Sequence, residues 1–595
     1  MINKLWPSKR VAGLLIALLF PIALLANNAE VRFSHSGGFY ENPFGLSLSC
    51  QEGYTIHYTT NGNEPKWTDA QYHAPLWLDE KLFSDSKLYT IQTCDDEIWY
   101  MPDDIRKCIV IRAATFDQEG YQIGKTITNS YFIAALDDKR MDIPIVSLCS
   151  DSISLFGYEK GIYVKGATHC NYCQTGRDWE RLCNVEFYEP KDNSGINQQA
   201  GLRIHGHVGR MGMQKGLRLY ARKEYGKKRF HHKFFEATEL TSFKHLVLKP
   251  VGNGLIRDHI SAEIAQPLNF EKLGSRLVIL FINGEYWGLY YLKERADDHF
   301  IADHFGYDEK DVNIIESWNG DVTSGNNENF VQTMRWVAQA DLSDDGQYAE
   351  LCKMIDIDCF IDYYCFQLFA ANSDWPDNNM RCWQANDGKW RWMFYDGDYC
   401  LADYRPMLQA TLYGKENKDV STFLFSKLLT NTQFRDCFYK RYGNLLTHEF
   451  YPKKTHKYFY ACMDDINKDI QEHFSRFGLL NYDAAFDFQV RFVDEFLSIR
   501  MVSAAAMIYQ LYYYNGWDYN LSESQKQIKF KYNPESHNPT FLFRMAKQFK
   551  DWRYVSMYFA YERHRIVQGF KDSNFHQNLK KWKPWKKLKK SLGRG

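Results

Sequence analysis

The sequence lacks any excess of charge. Its 73 Lys and Arg are matched by 73 Asp and Glu, so there is no overall pull toward nucleic acid or an acidic membrane. Beyond the first 25 residues it has no apolar run long enough to span a bilayer, which takes about 20 residues. It has no internal repeats, which removes the solenoid and propeller architectures. Nothing in it pairs two carboxylates across a cleft as glycoside hydrolysis requires.

The chain does have 595 residues, enough for several cores. It is rich in aromatics, with 40 Tyr, 41 Phe and 16 Trp. Lys4, Lys9 and Arg10 precede the apolar stretch Val11 to Leu25, and Ala26 follows. This is the charged, apolar and small-residue order of a secretory signal peptide over 1–26. It predicts a secreted, periplasmic or cell-surface protein, and no Cys follows that would carry a lipid. Some of the 14 Cys are then expected to pair. Cys170-x-x-Cys173, with His169 and Cys183, has the ligand types of a zinc site, but a disulfide or buried thiols are the default. Cys352, Cys359 and Cys365 follow a helical period and are expected in a core.

Residues 30–136 read as all-β, with short alternating runs between turn signals at 36–38, 61–62 and 119–120. That rhythm suits an immunoglobulin-like sandwich. From Ile143 strands mix with a helix. Gly161–Gly166, Asn184–Tyr188, Gly201–His205 and Gly216–Ala221 are expected strands, Arg257–Leu268 a helix, and Leu277–Leu292 a hairpin turning at Asn283-Gly284. After about residue 296 helical periodicity dominates through 328–341, 347–371, 421–449, 453–478 and 486–513. A single hairpin, 380–398, interrupts it. The chain ends in a basic tail: 579–595 holds seven Lys, one Arg and no acid. Such a tail is a solvated end or a contact to anionic lipid or cell-wall polymer.

The chemistry centres on Asn372-Ser-Asp-Trp-Pro-Asp-Asn-Asn379 and Tyr395-Asp-Gly-Asp398. Phosphoryl transfer needs a carboxylate at the acceptor hydroxyl, a nearby side-chain oxygen on a metal, and a further carboxylate on Mg²⁺. Asp374 and Asn379 stand five apart, the spacing of catalytic Asp and metal-binding Asn in protein kinases. Asn386-Asp-Gly388 is a hairpin turn that would return the chain with Asp396 and Asp398. Lys215, among Gly206, Gly209 and Gly212 at a strand start, is a candidate phosphate ligand. Asp and Asn alone also favour turns. Only the combination carries the argument.

These segments resemble the CotH kinase family. The resemblance rests on His205-Gly-His-Val-Gly-Arg-Met-Gly-Met-Gln-Lys-Gly-Leu-Arg-Leu-Tyr-Ala-Arg222, Ile256-Arg-Asp258, Phe281-Ile-Asn-Gly-Glu-Tyr-Trp-Gly-Leu-Tyr290 and the two acidic motifs, across about 143–505. It implies a multidomain α+β chain, with the sandwich followed by a divergent bilobal kinase-like domain. That domain would have a β-rich N-lobe over 140–295, a helical C-lobe over 296–515, and an extension over 516–595. It implies ATP and Mg²⁺ or Mn²⁺ as cofactors, and Ser of a secreted or envelope protein as acceptor. In its terms Asp374 is catalytic and Lys215 binds phosphate with support from Arg210. Glu263 or Asp258 pairs the lysine, Glu294 lies near the adenine, and Asn379, Asp396 and Asp398 hold metal. Gly209-Arg210 replaces the family's usual Ser-Arg, and Tyr399-Cys400 its usual Phe-Gly. Tyr58-Thr-Thr-Asn-Gly-Asn-Glu-Pro65 resembles the β-sandwich module of chitobiases and hexosaminidases, which implies a spacer or a glycan contact. The competing class is a kinase-like binding protein without strong catalysis. No nucleic-acid partner is expected.

Overall fold

The structure is a computed structural model that describes residues 29–514, apart from 84, 96–98, 134–138, 191, 252–255, 318, 377, 387, 403–419 and 479–481. The expected signal peptide and basic tail lie outside the described residues.

The N-terminal region forms a five-stranded sheet in the order Gly38–Tyr40, Ile127–Ile133, Ile109–Phe116, Thr55–Thr59, Ala70–Gln71. Two short ribbons, Arg32–Phe33 with Leu48–Ser49 and Phe44–Leu46 with Leu76–Leu78, complete its core around Ile56, Ile109 and Ile111.

Next comes a closed barrel. Its strands are β1 (Ile145–Cys149), β2 (Arg181–Tyr188), β3 (Gly195–His205), β4 (Gly216–Tyr220) and β5 (His245–Pro250), then β7 (Ser275–Ile282) and β8 (Glu285–Lys293), ordered β1-β2-β3-β4-β5-β8-β7. Period-2 alternation divides its side chains. Leu202, Ile204, Leu217, Leu219, Leu246, Leu248, Tyr290 and Leu292 fill the inside. Leu277, Ile279, Leu289 and Tyr291 face outward into a second core with helix α1 (Arg257–Ala265). The β7–β8 hairpin turns at Asn283 and Gly284, both at positive φ, 48° and 84°, as the sequence signal requires.

Gly161–Gly166 is not a strand. The amides of Ile162 and Tyr163 bond to Ser154 and Leu155 carbonyls of a short helical turn. Buried Ile162, Tyr163 and Val164 join the barrel core instead.

The second half is helical: α2 (Asp298–Phe305), α3 (Glu328–Gln339), α4 (Asp345–Met354), α5 (Ile357–Ala370), α6 (Val420–Leu428), α7 (Thr432–Thr447), α8 (Pro452–Ile466), α9 (Ile470–Phe477) and α10 (Tyr482–Tyr514). Helix α5 starts at Asp356, whose carboxylate caps the Cys359 amide. It is buried all round from Cys359 onward, so it is the axis of this half. The expected 380–398 hairpin is present as β11 (Arg381–Ala385) and β12 (Arg391–Phe394). It is not alone, however. β6 (Glu271–Lys272), β9 (Val312–Ile315) and β10 (Val322–Ser324) join it in the order β6-β12-β11-β9-β10.

The N-terminal sheets are docked on the barrel. The Glu285 carboxylate accepts the Leu88 and Tyr89 amides, each at 2.9 Å. Phe39, Cys108, Val110 and Phe132 belong to the core that surrounds α1 and α5. Glu186 of β2 is fully buried at this junction and accepts from the Ser130 amide (3.0 Å), Ser130 Oγ (2.6 Å) and Tyr188 Oη (2.5 Å). Burial raises its pKa to about 7. A raised carboxyl pKa gives stability that is complete below the unfolded value, roughly 4.3, and is lost as pH rises through 7. Glu186→Gln should therefore melt above wild type at pH 8 and flatten the change in Tm between pH 5 and 8. Identical melting curves at pH 8 would refute this.

Candidate active site

Helix α5 ends at Ala371, in the left-handed region at φ 48°. Buried Asn372 pins the exit: its Nδ2 donates to Gln367 Oε1 (3.1 Å), and its Oδ1 accepts the Asp374 amide (3.3 Å). The half-buried Asp374 carboxylate is then oriented through Oδ2 alone, which accepts from Asn378 Nδ2 and Asn379 Nδ2, both at 2.9 Å. No described bond engages Oδ1. The loop is tied to the chain beyond β12 by Ser373 N to Tyr399 O (3.3 Å) and Leu401 N to Ala370 O (2.7 Å). These bonds set the Asp374 loop against the Asp396–Asp398 segment.

The hairpin delivers Asp396 and Asp398 to α1. Gly397 lies so close to that helix that a Cβ would stand 3.2 Å from Asp258 Cα and 2.8 Å from Phe394 Cζ. A side chain here would force the acids away. The Gly397 amide instead donates to Asp258 Oδ1 (2.8 Å). Lys249, at the end of β5, lies among the three acids: 3.0 Å from Asp396 Oδ1, 3.0 Å from Asp398 Oδ1 and 3.2 Å from Asp258 Oδ2. Lys293, at the end of β8, meets Asp258 Oδ2 at 2.5 Å, with both side chains buried.

Burial disfavours charge on Lys249, but the three carboxylates outweigh it and hold its pKa well above the usual range. Burial would likewise raise Asp258, but Lys249 and Lys293 hold it well below. Asp398 is raised, by burial first and then by Asp396 and Asp258 against the pull of Lys249.

Oxygens of Asp258, Asp396 and Asp398 lie within 4.8 Å of one another. Three carboxylates face two ammonium groups, and the Arg257 guanidinium of α1 also acts on Asp398. The described bonds of Asp396 and Asp398 use only Oδ1 of each. The free carboxylate oxygens are the hard donors that a divalent cation such as Mg²⁺ takes, and Asp396 and Asp398 are the residues here that would hold one.

A model of the CotH kinase protein family matches residues 202–503, just over half of the chain. The chain belongs to the CotH kinase protein family. A second model, Fn3 associated, matches residues 46–131. No curated protein matches the chain.

The CotH match runs from β3 into α10 and contains the whole cluster as well as Asp374. Within it, the residues expected from sequence divide into two groups. Asp374 with Asn379, and Asp396 with Asp398, are brought together. Lys215 is not among the acids; Lys249 and Lys293 are. Lys215 precedes Leu217 by two and so faces inward with it. Its ammonium donates to the Arg210 and Gly212 carbonyls at 2.7 and 2.8 Å and lies 3.9 Å from the Tyr172 ring centre. Burial pushes its pKa down to about 7. Arg210 reaches the Tyr172 and Gln174 carbonyls at 3.1 and 3.0 Å. Both residues thus tie the glycine-rich 206–212 loop to the Cys170–Cys173 loop. That loop is closed by a disulfide, so these two thiols are not zinc ligands here.

Asp258 pairs the lysines, and Glu263 does not. Glu263 lies five residues along α1, near Cys462 of α8, and burial raises its pKa. Glu294 accepts from the Gly274 amide (2.8 Å) and meets His304 Nε2 at 2.8 Å. It lines a cavity of about 230 Å³ with Phe270, Lys272 and Phe300.

Proposed function

We propose that this CotH family protein is a kinase that transfers the γ-phosphate of ATP to a hydroxyl, most simply a Ser of a secreted or envelope protein. The observation that carries the reading is Lys249, held between Asp258 of α1 and the Asp396–Asp398 segment, with the Asp374–Asn379 loop bonded alongside. In protein kinases a strand lysine pairs an acid on the following helix, and a further Asp binds the metal. Leu246-Val247-Leu248-Lys249 also has the form of that strand, V-A-I-K, with the lysine pointing away from the apolar inside. A divergent kinase-like fold follows as part of this proposal.

Asp374 Oδ1 would receive the acceptor hydroxyl and its proton. As the hydroxyl oxygen bonds to the γ-phosphorus, the bond to the β–γ bridging oxygen breaks and ADP leaves. Lys249 would exchange its carboxylate partners in part for phosphate oxygens, with Lys293 keeping Asp258 in place. Asn378 and Asn379 hold the Asp374 plane. Magnesium, when bound by Asp396, Asp398 and Asn379, would neutralise charge on the phosphates.

The sequence features outside the described residues complete the proposal. The N-terminal 1–26 segment would export the protein, and the 579–595 tail would touch an anionic cell-surface polymer. A glycan contact through the N-terminal module rests only on the resemblance of Tyr58–Pro65 to the chitobiase module.

The test is transfer of γ-labelled phosphate from Mg-ATP to envelope proteins by the purified chain. Asp374→Ala should lose at least about 10²-fold of the rate, the scale of a positioned acid–base group. Equal labelling by the two proteins would refute the assignment.

A further inference from the structure

The strand register places more cations on the outer barrel face than the reading above uses. Arg203 of β3 pairs with Arg218 of β4, Arg218 with Val247 of β5, and Val247 with Lys293 of β8. One row across the sheet is therefore Arg203, Arg218, Val247, Lys293. The next row has His205 opposite Gly216 and Lys249 opposite Tyr291. Their neighbours Leu217, Leu219, Leu246 and Leu248 point into the barrel, so these polar residues share the face that carries Lys249.

Most of these cations have carboxylate partners. Lys249 and Lys293 meet the three acids. Arg203 and Arg222 both bind Glu180. His245 and Arg295 both bind Asp297. Arg218 makes no ion pair among the described residues. Its Nη1 donates to Tyr220 Oη (3.1 Å), and its Nη2 meets His205 Nδ1 at 2.6 Å. Its Nε is buried and has no acceptor. His205 must be neutral to accept from a guanidinium. Burial, then Arg218, Arg295 and Lys249, hold its pKa well below the usual value.

A guanidinium with a spare donor, locked by a neutral histidine and a tyrosine, with Asp297 acting on it only from a distance and with no ion pair among the described residues, is a receptor for a phosphate oxygen. It is close to the site. On strand spacings its Cα is about 7 Å along and 5 Å across from that of Lys249, a separation that a polyphosphate chain and two long side chains can bridge.

We propose that Arg218, positioned by His205, binds the phosphate chain of the nucleoside triphosphate on the face it shares with Lys249. The proposal rests on the kinase reading for the identity of the ligand, but not for the anion site itself. The test uses the full chain, Arg218→Met and Arg218→Lys, with calorimetric titration of Mg-ATP, inorganic tripolyphosphate and adenosine. Arg218→Met should weaken Mg-ATP and tripolyphosphate by at least about tenfold, as for loss of a charge-assisted bond, and leave adenosine unchanged. Arg218→Lys should recover part of the loss, and KM for ATP should rise more than kcat falls. Melting curves check that each variant is folded, and the Lys variant carries the test where Met does not fold. Unchanged affinity for both phosphate ligands, or an equal loss for adenosine, would overturn the proposal. So would failure of the wild type to bind tripolyphosphate. Tripolyphosphate binding through Arg218 without any phosphate transfer would sustain the anion site and remove the kinase reading. Transfer with an unaltered KM in Arg218→Met would do the reverse.

Discussion

Lys249→Met is expected to lower kcat for phosphate transfer by about 10²–10³-fold, the scale for removing one preorganised charge from a transition state. Lys215→Met should instead keep kcat within about threefold and act on stability or on KM. The contrast follows from the two environments. The Lys249 ammonium lies 3.0–3.2 Å from three carboxylates at the cluster. That of Lys215 is fixed by two carbonyls on the other side of the sheet. Steady-state rates of the two variants under saturating Mg-ATP decide it. A larger kcat loss in Lys215→Met than in Lys249→Met would invert the assignment of the phosphate lysine.

Asp258→Ala should be the most destabilising single change at the site, by about 3–5 kcal/mol, the usual cost of breaking a buried ion pair from one side. Lys293 would be left buried at 4 % exposure, and the Gly397 amide would lose its acceptor. Because the folded-state pKa of Asp258 lies below its unfolded value of about 3.9, the contribution is complete above roughly pH 4 and fades as pH falls. Wild type and Asp258→Ala should therefore keep a constant gap in urea midpoint from pH 7 to about 4 and converge only below that. Midpoints within experimental error of each other at pH 7 would mean that Lys293 finds another partner.

The acidic half of this site was legible because its parts are local. The Asn386-Asp-Gly388 sequence signals the hairpin, and the hairpin sets where Asp396 and Asp398 arrive. Asp374 and Asn379 share one loop and one hydrogen bond. The basic half was legible only through parity, a weaker cue. Lys215 has the same parity as Leu217 and Leu219, which puts it inside the barrel. Lys249 alternates with Leu246 and Leu248, which puts it outside, one short connection before an acid in the first turn of α1. The glycines around Lys215 have the pattern of a phosphate loop, but the loop is held from behind by that lysine and Arg210. Of the sheet β6-β12-β11-β9-β10 only the β11–β12 hairpin could be read. Its β6 has two residues, and their pairing with Met393 and Phe394 spans more than a hundred positions. No local pattern encodes such a contact.

The docking of the N-terminal sheets has a mechanical consequence. Glu285, which holds the Leu88 and Tyr89 amides, sits on the same strand, β8, that ends in Lys293. The module and Lys293, the lysine that holds Asp258, are therefore anchored at opposite ends of one strand. A ligand carried on the module, as proposed above, would thus be held against the barrel by a strand rather than by a tether.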